Sequence, residues 1–518
     1  MTSIGPYAAS GVGRPSLVDA LAKSRSQLND LTRQLSTGMV SATYAGLGDG
    51  RATSLAMRAK LAALSSYDAT AATVGTRLAI MGTALQRLDD IGAEYKLVDP
   101  NDFTLTTGSV TVTQSQAAID LQDAISQLNT DVGGRFVFSG RTADTKPVLS
   151  ADAILADDAG KAGLRTVIAE RKLADLGADG RGRIDVSAVS GSSFSVAEEA
   201  SGPFGFKISS LSSSMTGGVA SGPTGSPATI TLGVTGQPRT GDQTRVGLTL
   251  PDGSTEEIVL TAKAADDASA LAPGEFHVGA TPAQTAANMR ASFDAALKTR
   301  ADTALVAASA VQAGEEFFNA PAGSGPARVA GFDGSYASDA ARVAALQNAT
   351  ALDTTDTAEK TVSWYVGETG TDDPRKTAAA KIDDGVAVAY GARANEAGTR
   401  QVVQNLAVFS AITFSADDGN AKARYSALAN RTITALGSSD ATAAVRTMAT
   451  DLASANNAIK AATARHAAAK SMAQDALSNV ESADKDEVTL KILALQTQLQ
   501  ASYQATATLK NLSLVNFL

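Results

Sequence analysis

The chain has 518 residues, with 53 acidic against 44 basic side chains, a formal charge of -9 and no cysteine. Such a length exceeds what one hydrophobic core usually organises, so roughly two to four domains are expected. The acidic balance, with no Lys/Arg block, leaves no footprint for nucleic acid or an anionic membrane surface, and the missing thiols exclude disulfides, thiolate metal sites and cysteine nucleophiles. Only 5% of residues are aromatic while alanine is conspicuous, which favours closely packed helices over a large mixed core.

The first twenty residues carry one basic side chain, Arg14, and no apolar core of the kind a secretory signal needs. Leu21, Leu28, Leu31 and Leu35 then mark a helix ending near Gly38. After the glycine-rich break Gly46-Leu47-Gly48-Asp49-Gly50, a second helix is expected from Leu55 to Tyr95, with Val74, Leu78, Met81, Leu85 and Leu88 at alternating steps of three and four. That glycine run has no following Lys-Ser/Thr and no preceding strand, so it reads as a loop and not a phosphate cradle. Leu121, Ile125, Leu128 and Val132 predict a third helix before Gly133-Gly134.

From about residue 150 to 395 the pattern changes to a β-rich one. Of the fourteen prolines, all but Pro6, Pro15, Pro100 and Pro147 fall between Pro203 and Pro374. Ser209 to Pro227, rich in serine and glycine, is expected to link two lobes or cross a surface. Arg245 to Leu250 and Glu257 to Thr261 flank Pro251-Asp252-Gly253-Ser254 as a hairpin, and Thr361 to Val366 and Val386 to Tyr390 are further strand candidates. Thr281-Pro282-Ala283-Gln284 supplies an N-cap, a proline at the first helical position and a capping-box glutamine ahead of Met289, Phe293 and Leu297. Phe317-Phe318 and Trp364-Tyr365 read as core. The adjacent carboxylates Glu256-Glu257 and Glu315-Glu316 are expected to point apart and give no acid–base pair.

Neither Gly nor Pro occurs from Ser438 to Leu518, so a nearly continuous helix of about 120 Å is expected there. Val445, Met448, Leu452, Ala455, Ile459, Ala462, His466, Ala469, Ala473, Ala476 and Val480 form its seam; after a one-residue shift, Val488, Ile492, Leu495 and Leu499 continue it, followed by Leu509. His466, an island among alanines with no second ligand within helical reach, is expected to pack and not to bind metal. The fold class expected is therefore mainly α terminal arms forming an antiparallel coiled coil or helical bundle, with a central β-rich α+β insertion of one or two small domains. The boundaries are a flexible segment at 1–16, an N-terminal helical arm at 17–150, the central region at 151–395 and a C-terminal helical arm at 396–518.

The segments Leu499-Gln500-Ala501-Ser502-Tyr503-Gln504-Ala505-Thr506-Ala507 and Leu512-Ser513-Leu514-Val515-Asn516-Phe517-Leu518 closely resemble the C-terminus of the bacterial flagellin family. Leu31-Thr32-Arg33-Gln34-Leu35-Ser36-Thr37-Gly38 is similar to the end of that family's first helix. Arg135-Phe136-Val137-Phe138-Ser139-Gly140 with Thr145-Lys146-Pro147 resembles its hook-filament junction branch, hook-associated protein 3. Filament flagellins carry Asp-Asp-Ala-Ala-Gly after the first helix, where this chain has Gly46-Leu47-Gly48-Asp49-Gly50 and Arg51-Ala52, a departure that disfavours a standard filament subunit. The resemblance covers roughly residues 15–150 and 395–518.

It implies export through the flagellar type III apparatus without a cleavable signal, an extracellular location in the flagellum, and a chaperone on the C-terminal helix. It also implies polymerisation with itself and with other axial proteins, namely hook-associated protein and filament flagellin. The expected function is that of a structural hook-filament junction subunit, not an enzyme, with no cofactor, no nucleic acid and no membrane insertion. The alternatives are a filament flagellin and a flagellin-family subunit whose central domain binds a ligand as an adhesin does. Leu21, Leu28, Leu31, Leu35, Val74, Leu78, Met81, Leu85, Leu88, Leu452, Ile459, Ile492, Leu495, Leu499, Leu509, Leu512 and Leu514 are the residues expected to pack in the core or between subunits.

Overall fold

The computed structural model describes residues 14–106, 109–267, 269–321 and 323–515. Its helices are α1 (Arg14–Thr37), α2 (Gly50–Tyr95), α3 (Val112–Leu128), α4 (Ala151–Leu155), α5 (Leu164–Leu176), α6 (Pro282–Arg300), α7 (Val306–Phe318), α8 (Asp339–Gln347), α9 (Thr357–Lys360), α10 (Ala397–Ala411), α11 (Ala421–Gly437), α12 (Ser439–Glu481) and α13 (Lys485–Val515). The strands are β1 (Ile184–Val186), β2 (Ser193–Glu198), β3 (Lys207–Ser213), β4 (Gly218–Thr224), β5 (Thr229–Val234), β6 (Gln243–Thr249), β7 (Thr255–Lys263), β8 (Glu275–His277), β9 (Arg328–Val329), β10 (Leu352–Asp353), β11 (Ala379–Asp383) and β12 (Val386–Ala389). The fold is thus mixed α and β with helices at both ends. Two compact units emerge: one holds the chain up to Thr73, Lys381–Ala387 and the chain from Ala458; the other holds Val74–Ala380 and Val388–Asn457. Helices α2 and α12 each have residues in both units.

In the first unit, α1 stops where the glycine predicts: Gly38 has φ +68 and its N–H donates to Gln34 O at 2.8 Å, a left-handed helix end that a side chain would strain. The strand-like residues after it meet the α12–α13 junction, with Val40 N donating to Glu481 O at 2.8 Å and Ala483 N to Gly38 O at 2.9 Å. From there α1 lies along α13. The nearly continuous helix expected from Ser438 onward is two helices, with a break at residues 482–484. Asp484 Oδ1 caps α13 by accepting from Asp486 N at 2.9 Å and Glu487 N at 3.2 Å, and the freed backbone pairs with residues 38–40. What reads as a one-residue seam shift between Val480 and Val488 is therefore a helix end followed by a new helix.

In the second unit α10 is the central helix. Val402, Val403, Leu406, Val408 and Phe409 are all buried, with α3, α7 and α11 packed around them. A Cβ at Gly398 would lie 2.6 Å from Val445 N, so only glycine permits so close an approach of α10 to α12. Two four-stranded sheets, ordered β1-β2-β5-β4 and β3-β6-β7-β8, enclose an apolar core with α6, which contributes Met289, Phe293 and Leu297. Thr281 caps α6 by accepting from Gln284 N at 3.2 Å, while the Gln284 side chain reaches Ala280 N, one residue before the cap.

The Asp-Gly hairpin forms as β6 and β7, with Gly253 at φ +78. Ser209 to Pro227 is no linker: it forms most of β3 and β4, whose backbone pairs with β6 and β5. Its small polar side chains conceal strands that backbone hydrogen bonds specify. Thr361 to Val366 is no strand either. Thr361 and Tyr365 make isolated bridges to Ala162 and Val148, and buried Trp364 donates from Nε1 to Phe318 O at 3.0 Å. Val132 lies beyond the third helix, which ends at Leu128 because the Asn129 side chain exchanges two hydrogen bonds with Val148, at 2.9 and 3.0 Å.

Candidate assembly surface

The seam residues divide by unit. In the second unit Val74, Leu78, Met81, Leu85, Leu88 and Leu452 are at most 4% exposed, so they are core of this chain. Arg446 on α12 reaches Asp89 on α2 at 3.0 Å, alongside that stripe.

In the first unit the same spacing produces a less complete burial. Ile459 and Leu499 are buried, as are Val488 and Ala462. Leu21, Leu28, Leu31, Leu35, Ile492 and Leu495 are only partly covered, and Leu490 and Leu493 are 67% and 54% exposed. A half-buried leucine forgoes part of the roughly 1.5–3 kcal/mol that full burial contributes. The side chains of Leu509, Leu512 and Leu514 lie outside the described residues.

Polar side chains register α2 on α12 within this unit. Ser54 and Arg58 both bond the Glu481 carboxylate, Arg58 Nε at 2.9 Å, and the Arg58 hydrogen bond is the main cause that holds Glu481 below the ordinary carboxylate range. Further along, Asp68 accepts from Lys470 at 2.6 Å and lies 2.7 Å from His466 Nδ1. Burial alone would raise the Asp68 carboxyl; the bonds from Lys470 and His466 outweigh it and leave the group below its usual value. Rising numbers on α2 meet falling numbers on α12, so the two run antiparallel. His466 is 1% exposed, and its Nε2 is 3.5 Å from Asp383 Oδ1. It thus sits between two aspartates on separate segments, which no spacing within α12 reveals.

The segment Arg135 to Gly140 occupies the second unit as a clasp. Gly140 N donates to Ala392 O and Ala394 N to Phe138 O, while Glu368 N reaches Ser139 O. Gly140 has φ +64, and a Cβ there would lie 2.1 Å from Glu368 Oε2. Buried Phe138 fills the space beneath. The adjacent carboxylates point apart: Glu256 faces Arg300 and Glu257 faces Arg245, while Glu316 bonds Arg171 and Glu315 bonds Gln404. Among the described residues no group of three or more His, Asp or Glu is placed to hold a metal ion, and no helix is long and apolar enough to cross a membrane.

No family model matches the chain, and no curated protein or solved structure matches it.

Proposed function

We propose that this chain is a structural subunit of the bacterial flagellar axial tube, placed at the hook-filament junction, and that it performs no catalysis. Its terminal helices act as antiparallel coiled-coil arms that complete their cores against adjoining subunits. The observation that carries this reading is the contrast between two stripes of like spacing. Leu85 and Leu88 are 0% exposed, whereas Leu21, Leu28, Leu31, Leu35, Ile492 and Leu495 remain partly open within one chain. Apolar seams left open in a monomer favour association, since covering them removes further apolar area from water.

The terminal segments and Arg135 to Gly140, similar to the flagellin family and its junction branch, supply the kind of polymer. On this reading the chain leaves the cell through the flagellar export channel with a chaperone on α13, and its partners are hook-associated protein, filament flagellin and itself. Deleting the gene should leave hooks that release monomeric flagellin into the medium. Normal filaments in that strain would overturn the junction role, and mass spectrometry finding the chain along the whole sheared filament would make it a filament flagellin instead.

A further inference from the structure

We infer that a cleft in the second unit binds a carboxylate carried on an apolar body, held by Arg77 and Arg135. The cleft has a volume of about 300 Å³ and lies where α2, the Arg135–Ala143 loop and the backbone around Thr377 and Tyr390 converge. That size accommodates a small ligand or a single side chain with its neighbours.

Its charge is the first argument. Three arginines line it, Arg77, Arg135 and Arg141, and no carboxylate does, in a chain whose net charge is -9. Arg141 is already compensated from behind by Glu368 at 2.6 Å and Asp372 at 2.7 Å. The other two are not. Arg77 donates from Nη1 to Tyr390 Oη at 3.1 Å, but its buried Nε–H has no partner. The exposed Arg135 side chain makes no ion pair or hydrogen bond among the described residues.

The donor set selects the anion. Four backbone amides around the cleft are already used: Phe136 N bonds Ala143 O, Gly140 N bonds Ala392 O, Tyr390 N bonds Ala378 O and Gly391 N bonds Arg375 O. The side-chain donors are two planar guanidinium forks and the Tyr390 hydroxyl, a set that suits a planar carboxylate better than a tetrahedral phosphate seeking a nest of amides. Phe136 and Val137, both half-buried, supply the apolar part of the wall, against which an aliphatic or aromatic body rests. Either a free organic acid or an acidic side chain flanked by apolar residues has this chemistry.

Isothermal titration of the full-length chain tests the site. Phenylacetate and the capped peptide acetyl-Phe-Glu-Phe-amide are the carboxylate probes; phenylacetamide and acetyl-Phe-Gln-Phe-amide are their neutral controls. The carboxylates should bind and the amides should not, and Arg77→Gln and Arg135→Gln should each weaken binding about tenfold. Stronger binding of phenylacetate assigns a free acid, and stronger binding of the glutamyl peptide assigns a protein segment. Equal binding of acids and amides, or unchanged affinity in Arg135→Gln, would overturn the site. Arg135 is exposed, so that variant folds even if Arg77→Gln does not.

Discussion

Arg141 and the carboxylate of Glu368 meet twice: the side-chain Nη1 donates to Oε1 at 2.6 Å and the backbone amide donates to Oε2 at 2.8 Å. The neighbouring Gly140 has no Cβ to intrude, and Arg393, 7% exposed, approaches the same carboxylate at 3.6 Å. Glu368→Ala therefore strands a buried guanidinium and should cost about 3 kcal/mol. Gly140→Val should be similarly damaging through both contact and backbone strain. Thermal unfolding followed by circular dichroism checks both; an unchanged melting temperature in either variant would refute the clasp.

The hairpin turn is held from outside as well as by its own geometry. Asp252, 7% exposed at its side chain, accepts from Arg431 Nε on α11 at 2.7 Å. Gly253 faces open space at φ +78, so Gly253→Ala should cost only about 1–2 kcal/mol, against about 3 kcal/mol for Asp252→Ala. Urea midpoints of the two variants decide the order. If Gly253→Ala proved the more harmful, the tie to α11 would be unimportant.

Two leucines of equal chemistry should behave differently. Leu85 is 0% exposed, so Leu85→Ala should lower monomer stability by about 3 kcal/mol. Leu495 is partly open, so if α13 assembles as proposed, Leu495→Asp should leave the second unit folded yet prevent incorporation into flagella, because assembly would bury an unpaired charge. Unfolding curves and immunodetection on purified flagella separate the two effects. Incorporation of Leu495→Asp at the normal level would remove the assembly role of α13.

Glu481 should give the first unit an acid-labile contribution. Its folded pKa lies below the ordinary value of 4.5 through the Arg58 hydrogen bond, so the unfolded chain takes up this proton more readily. The stabilisation is complete above pH 4.5 and is lost as pH falls through the depressed folded value. Denaturation midpoints measured across that range should show a shallower pH dependence in Glu481→Gln. Parallel curves for the variant and the natural chain would exclude the contribution.

Much of the helical framework is legible in local signals. Gly38 ends α1, Gly48-Asp49 immediately precedes α2, Thr281-Pro282 opens α6, and Asp252-Gly253 turns β6 into β7. Each of these depends on one residue's φ preference or on a cap within a few residues. The failures share the opposite character. Ser209 to Pro227 becomes β3 and β4 through pairing with β6 and β5, and α12 ends at Glu481 through backbone contacts with residues 38–40. His466 meets Asp68 and Asp383 from distant parts of the chain.

By itself the sequence determined where the chain must turn, where helices start and which side chains share a stripe, because periodicity and backbone preference act over a few residues. Tertiary structure alone decided that Val74 to Leu88 is sealed core while Leu21 to Leu35 stays half open, and that Arg77 and Arg135 face a cleft without a carboxylate. Burial and charge compensation depend on what arrives from remote segments, and a repeat of three and four is the same whether or not its apolar face is covered.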